Sequence, residues 1–122
     1  AEPRAFVNWQ AVQKILEAET TVDVAATLLF SAEGELLTTA GEETHEDIVS
    51  ALMAGIWNSY DDLQRGLKFL LLECEEGKLG ITAVGRFRIC MYSNSFNYPI
   101  GLLKAKVIRI ASKLNKPLSS VY

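Results

Sequence analysis

A chain of 122 residues, 49% hydrophobic and 22% charged, has the make-up of one ordinary globular domain and buries about two thirds of its unfolded surface on folding. These figures argue against extensive disorder and against a second domain, so residues 1–122 are read as a single domain. No apolar run approaches the roughly 18 residues of a membrane span, and no signal peptide or lipidation motif is readable, so a cytosolic protein without direct membrane insertion is expected.

The net charge of −3 hides an uneven split: residues 1–62 hold twelve acids against Arg4 and Lys14, whereas residues 63–122 hold three acids against ten bases. No acid follows Glu76. Such a division favours association, through a nucleic-acid or membrane face or through acidic and basic faces for protein partners.

Helical spacing of Trp9, Val12, Ile15 and Leu16 predicts a short amphipathic helix over Asn8–Ala18, with Asn8 as N-cap. Val24–Ser31 and Leu36–Thr39 flank Ala32-Glu33-Gly34-Glu35, a turn in which Gly34 supplies positive φ, and read as a β-hairpin. Thr44 and Asp47 resemble a capping box opening a helix from about His45 to Asp61. On that helix Ile48, Val49, Leu52, Met53, Ile56, Trp57 and Tyr60 spread over roughly 180°, wider than the stripe of about 100° that one buried contact needs. The excess calls for a second partner surface, while Ser50, Ala51, Ala54 and Gly55 leave room for a close neighbouring backbone.

Leu67–Cys74, Leu79–Arg86 and Phe87–Tyr92 read as three strands, the first pair joined by Glu75-Glu76-Gly77-Lys78. Strands apolar on both alternating faces, such as Leu70-Leu71-Leu72, indicate a sheet covered by helices on both sides. A last helix from Pro99 to about Asn115 buries Ile100, Leu103, Val107, Ile110, Ala111 and Leu114 and carries Lys106, Arg109, Lys113 and Lys116 on the opposite side. The element order is α-β-β-α-β-β-β-α.

Catalytic and cofactor signals are weak. Cys74 and Cys90, each inside a strand, read as inert core thiols rather than a disulfide or metal site. His45, the one histidine, has no second histidine at metal spacing and reads as a solvated side chain. Glu42-Glu43 and Asp61-Asp62 lie at helix ends or in loops, no phosphate-loop or dinucleotide fingerprint occurs, and neither an enzyme nor a cofactor is expected. The basic face of the last helix reads as a solvated face, as a dock for an acidic protein surface, or as a contact for nucleic acid or anionic lipid. It lacks the interleaved aromatics of an RNA platform. For the second helix, core packing competes with an intermolecular interface, and a Leu67–Cys74 strand at a sheet edge favours the interface.

Several stretches together resemble the roadblock family, named for a dynein light chain, and within it the Ragulator-type branch. They are Gly55–Asp61, Leu67–Gly77, Ile81-Thr82, Cys90-Met91-Tyr92, Gly101–Lys106 and Pro117-Leu118, with a weaker match at Thr27–Leu29, Glu33-Gly34 and Leu36-Leu37. The resemblance implies an α/β (α+β) fold class, a roadblock/profilin-like α/β/α sandwich on a five-stranded antiparallel sheet, and no catalytic or metal site. It implies dimerisation through the second helix and third strand, a role falling on Met53, Ile56, Trp57, Tyr60, Phe69, Leu70, Leu71 and Leu72. The implied partners are a second roadblock subunit of the MEK-binding type, a lipid-anchored scaffold subunit and Rag GTPases. The implied setting is the cytosolic face of late endosomes and lysosomes, in mTOR and MAPK signalling. A homodimeric roadblock protein serving dynein or regulating a small GTPase is the alternative. Departures are a short Asp62–Gly66 connection, Arg88 at a usually apolar strand position, and an unmatched segment from Ser93 to Tyr98.

Overall fold

The computed structural model describes residues 7–41, 46–63, 65–75, 77–95 and 97–118. In chain order the elements are α1 (Trp9–Glu19), β1 (Ala26–Ser31), β2 (Leu36–Gly41), α2 (Glu46–Leu63), β3 (Leu70–Cys74), β4 (Gly77–Val84), β5 (Phe87–Ser93) and α3 (Ile100–Leu118). The strands form one antiparallel sheet in the order β2-β1-β5-β4-β3, so β2 and β3 are its edges.

Alternation along each strand divides the core into two layers. Ala26, Leu28 and Phe30 of β1 join Leu79 and Ile81 of β4, Cys90 of β5, and Met53, Ala54 and Trp57 of α2. Leu29, Val84, Ile89 and Met91 point the other way, onto Val12 and Leu16 of α1 and Leu103, Val107, Ile110 and Leu114 of α3. The expected α/β/α arrangement is therefore present, with α2 alone on one face and α1 with α3 on the other. Gly80 lets α3 sit close, because a Cβ there would stand 3.0 Å from Val107 and 3.1 Å from Phe69.

Local chemistry explains the element ends. Asn8 Oδ1 accepts from the Ala11 N–H at 3.1 Å, the cap expected for α1. Thr44 and His45, the expected start of α2, lie outside the described residues. β3 begins at Leu70 rather than Leu67, because the lead-in is bound by side chains instead of a ladder: Asp61 Oδ1 accepts from the Leu67 N–H at 3.0 Å, and Thr82 Oγ1 donates to the Lys68 carbonyl at 2.6 Å. β4 starts earlier than expected, at Gly77, and ends at Val84, which pairs with Phe87 across a two-residue turn opened by Gly85 at φ +57°. The last helix runs past Asn115 and through Pro117 to Leu118, whose buried side chain anchors the final turn in the α1–α3 layer. Two expected core positions are exposed: Ile100, in the first turn of α3, and Cys74, at the end of edge strand β3; Trp9 is exposed as well.

Trp57 is 1% exposed and the largest fully buried side chain. Trp57→Ala is expected to cost about 3–5 kcal/mol, read as a lower urea midpoint at an unchanged m-value.

Candidate partner-binding interface

The width of the apolar arc on α2 resolves into a buried side and an open side. Met53, 8% exposed, and Trp57 belong to this chain's own core, together with Ser50 and Ala54. The Ser50 hydroxyl, which could not be buried unpaired at low cost, donates to the Glu46 carbonyl at 2.8 Å. On the open side Ile48 and Leu52 are each 57% exposed, Tyr60 48% and Leu63 81%, with Ile56 half-buried between them. These five positions recur every three or four residues, so they line one side of the helix. Leu63 escaped sequence reasoning because α2 was expected to stop at Asp61; the continued periodicity from Tyr60 was the available signal.

The small residues of α2 have a neighbour within the chain. Gly34, at φ +93°, brings the β1–β2 turn so near that a Cβ on it would lie 2.9 Å from Ala51 Cα. Asn58 Nδ2 fastens the same turn by donating to the Ala32 carbonyl at 3.1 Å. Glu33 and Glu35 on this turn are exposed, so α2 gains a flank of carboxylates.

Its other flank leads toward β3. Leu70 and Leu72 of β3 pack on the α2 layer, whereas Phe69 and Leu71 pack on the α3 layer, and all four are only partly buried. Among the described residues β3 pairs with β4 and with no other strand. Its outer row of N–H and C=O groups is therefore open to a further strand. Of the eight residues assigned to association from sequence, Ile56, Tyr60, Phe69 just before β3, and the β3 residues Leu70, Leu71 and Leu72 keep accessible surface. Met53 and Trp57 instead hold α2 in place beneath them.

Arg88, unexpected on this strand, projects into the α2 layer. Its guanidinium lies 5.5 Å from the Trp57 ring centroid, and Nη1 donates to the carbonyls of Phe87 at 2.9 Å and Gly85 at 3.2 Å. Burial pulls its pKa below the ordinary value against the opposing pull of Asp61 and Glu33. It remains a cation and stacks on Trp57.

The basic stripe of α3 is largely engaged along α1. Glu19, at the end of α1, is buried and accepts from Arg109 Nη2 at 3.0 Å and Lys113 Nζ at 2.7 Å. Lys106 Nζ donates to Thr21 Oγ1 at 3.1 Å. Lys116 lies on the exposed last turn. A buried glutamate was not foreseen, although Glu19 directly follows the periodic segment. Among the described residues no group of three or more His, Cys, Asp or Glu side chains is placed to hold a metal ion. His45, Glu42 and Glu43 lie outside those residues, and Asp61 is committed to the Leu67 amide. No helix is long and apolar enough to cross a membrane among the described residues.

A family model described as Roadblock/LC7 domain matches residues 11–93, which run from α1 to the end of β5. The chain belongs to the Roadblock/LC7 family. The roadblock domain is similar to the Ragulator complex protein LAMTOR2 homolog of Caenorhabditis elegans, at 29% identity over 119 residues covering 95% of this chain and 96% of the relative. That likeness supports the Ragulator-type branch expected from sequence. Among solved structures it resembles Myxococcus xanthus MglB, with a TM-score of 0.78 and 17% identity over 89% of this chain and 95% of that one. It also resembles Acanthamoeba castellanii profilin IB, with a TM-score of 0.62 and 13% identity over 85% and 96%. These structures show a shared roadblock/profilin-like fold.

The Glu19 cluster gives the roadblock domain a defined acid response. Burial raises the Glu19 pKa, but hydrogen bonds from Lys113 and Arg109 outweigh it and hold the carboxyl below its ordinary value. The depressed folded value means that the stabilisation is present above the unfolded pKa of about 4.3 and lost as pH falls through the folded one. Glu19→Gln is expected to cost about 1–2 kcal/mol at neutral pH, the exposed ends of Arg109 and Lys113 limiting the figure. In urea unfolding, the gap from the native chain should close as the pH drops below about 4.

Proposed function

We propose that this single roadblock-type domain is a non-enzymatic adaptor subunit of a Ragulator-type complex. It pairs with a second roadblock subunit, of the MEK-binding partner type, through the β3-facing flank of α2 and the open edge of β3. The observation that carries the reading is that two unfinished surfaces share one core layer: Ile56 of α2 and Leu70 and Leu72 of β3 pack on that layer and keep accessible surface, Tyr60 and Leu63 continue the exposed side of α2, and the β3 edge lacks a strand partner among the described residues. A second roadblock chain would satisfy both at once, its β3 continuing the ladder and its α2 covering the apolar flank. Phe69 and Leu71, on the other face of β3, would meet the partner strand's opposite side.

The likeness to the nematode Ragulator subunit supports the rest of the assembly. With its partner, the domain is a platform that a lipid-anchored subunit holds on the cytosolic face of late endosomes and lysosomes. There it supports recruitment of Rag GTPases for mTOR and MAPK signalling. No nucleic acid and no cofactor enters this reading, and Lys106, Arg109, Lys113 and Lys116 are a further protein-facing surface.

Affinity capture of the tagged chain from its native cells, with mass spectrometry, tests the reading. A second roadblock protein together with Rag GTPases and a lipid-anchored subunit is the expected recovery. Tyr60→Asp, which places a charge on an exposed position, is expected to abolish that recovery while leaving the thermal midpoint within a few degrees. Recovery of dynein chains, or solely of copies of the same chain, would instead favour the homodimeric alternative.

A further inference from the structure

The outward faces of α2 and α3 are opposite in charge, and each exposes large apolar side chains. On α2, Ile48 and Leu52 stand exposed on the side away from the sheet, clear of Met53 and Trp57. Asp47 adjoins Ile48 in the chain, Asp62 stands in the last turn of the helix, and the β1–β2 turn, seated on Ala51, adds the exposed Glu33 and Glu35. The 18 residues of α2 include four acids and no Lys or Arg. Bases do approach this region: Arg65 is exposed beyond the helix end, and Arg88 acts on Glu33 and Asp61 from beneath Trp57.

On α3, Ile100 and Leu102 in the first turn and Ile108 two turns on are the exposed large apolar side chains. Gly101, Ala105, Ile108 and Ser112 floor a shallow hollow rimmed by Lys104, Arg109 and Lys113. The 19 residues of α3 include five bases and no acid. Glu19 offsets part of that charge from α1, yet Arg109 and Lys113 keep side-chain exposures of 64% and 48%.

The two faces lie on opposite sides of the sheet, so one chain cannot close them on each other. Pairing either face with its own copy sets like charges together in any orientation: acids on acids for α2, bases on bases for α3. Pairing α2 with α3 sets acids against bases and brings Ile48 and Leu52 over the hollow that holds Ile108, on helices of nearly equal length. We infer that the outward face of α2 on one copy of this chain receives the outward face of α3 on a second copy, in a head-to-tail contact that repeats as a stack. Such a contact is heterologous, so the stack keeps one free α2 face at one end and one free α3 face at the other. It is centred on Ile48 and Leu52, in the first half of α2, and makes no use of Ile56, Tyr60, Leu63 or the β3 edge, which the dimer proposed above engages.

Sedimentation velocity of the full chain over a concentration series, at low and at high salt, tests the stack. The expected result is a sedimentation coefficient that rises with concentration at low salt and falls back when salt screens the rims. Leu52→Lys damages the α2 face and Ile108→Glu the α3 face, both at exposed positions. Each variant alone is expected to associate at least tenfold more weakly. Mixed together they are expected to recover one association, because the intact α3 face of the first meets the intact α2 face of the second. Growth of either variant alone to the native size, no recovery on mixing, or a native chain whose size ignores concentration and salt would each overturn the inference. Both variants keep Tyr60 and β3, so pairing with a second roadblock chain reads out separately.

Discussion

The seating of Trp57 decides which parts of this protein face outward. With the indole buried in the layer that holds Leu28, Phe30, Ile81 and Cys90, the rotation of α2 about its axis is set. Met53 and Ala54 must then follow it into the layer, and Ile48, Leu52, Tyr60 and Leu63 must turn away from it. A helix with a stripe as narrow as that of α3 would have ended the matter there. The wider arc of α2 leaves apolar surface that none of the described residues covers, and α1 and α3 are both occupied on the far side of the sheet.

The sheet order places a second unfinished surface next to the first. Because β5 pairs with both β1 and β4, β3 is driven to the edge. The Asp61–Leu67 and Thr82–Lys68 hydrogen bonds fix where that strand starts and hold it against the end of α2. Exposed helix and open strand therefore arise from the same packing constraint. The charges follow a similar division. The acids of α2 and the first hairpin cluster on one side of the sheet, whereas the bases of α3 lie on the other, partly neutralised by Glu19 across the α1–α3 contact.

Much of this was legible in the sequence because hydrophobic period is a local signal. The order of elements, the cap at Asn8, the turn at Gly34 and the two-sided sheet all followed from spacing and from turn chemistry. Contacts between residues distant in the chain were not legible. Nothing near Glu19 announces that Arg109 and Lys113, ninety and more positions later, will reach it. Arg88 looked out of place because its partners, the Trp57 ring and two turn carbonyls, come from other elements or from the chain's own bend. The α2 arc gave the right width but not its division, since a helical wheel shows how many apolar residues there are and not which of them the sheet will take. Trp57 and Met53 are the cost of that ambiguity, as they hold the surface up without forming it.

In the proposed dimer, α2 and β3 form one surface completed by a second roadblock chain. Amide hydrogen exchange, followed at residue level in the chain alone and in the captured complex, tests it most directly, because an edge strand's outer amides exchange until a partner strand accepts them. Alternate amides within Leu70–Cys74 are expected to gain protection on complex formation while those of the opposite edge strand, Leu36–Gly41, stay as they were. Unchanged exchange along β3 in a complex that holds a roadblock partner would contradict it.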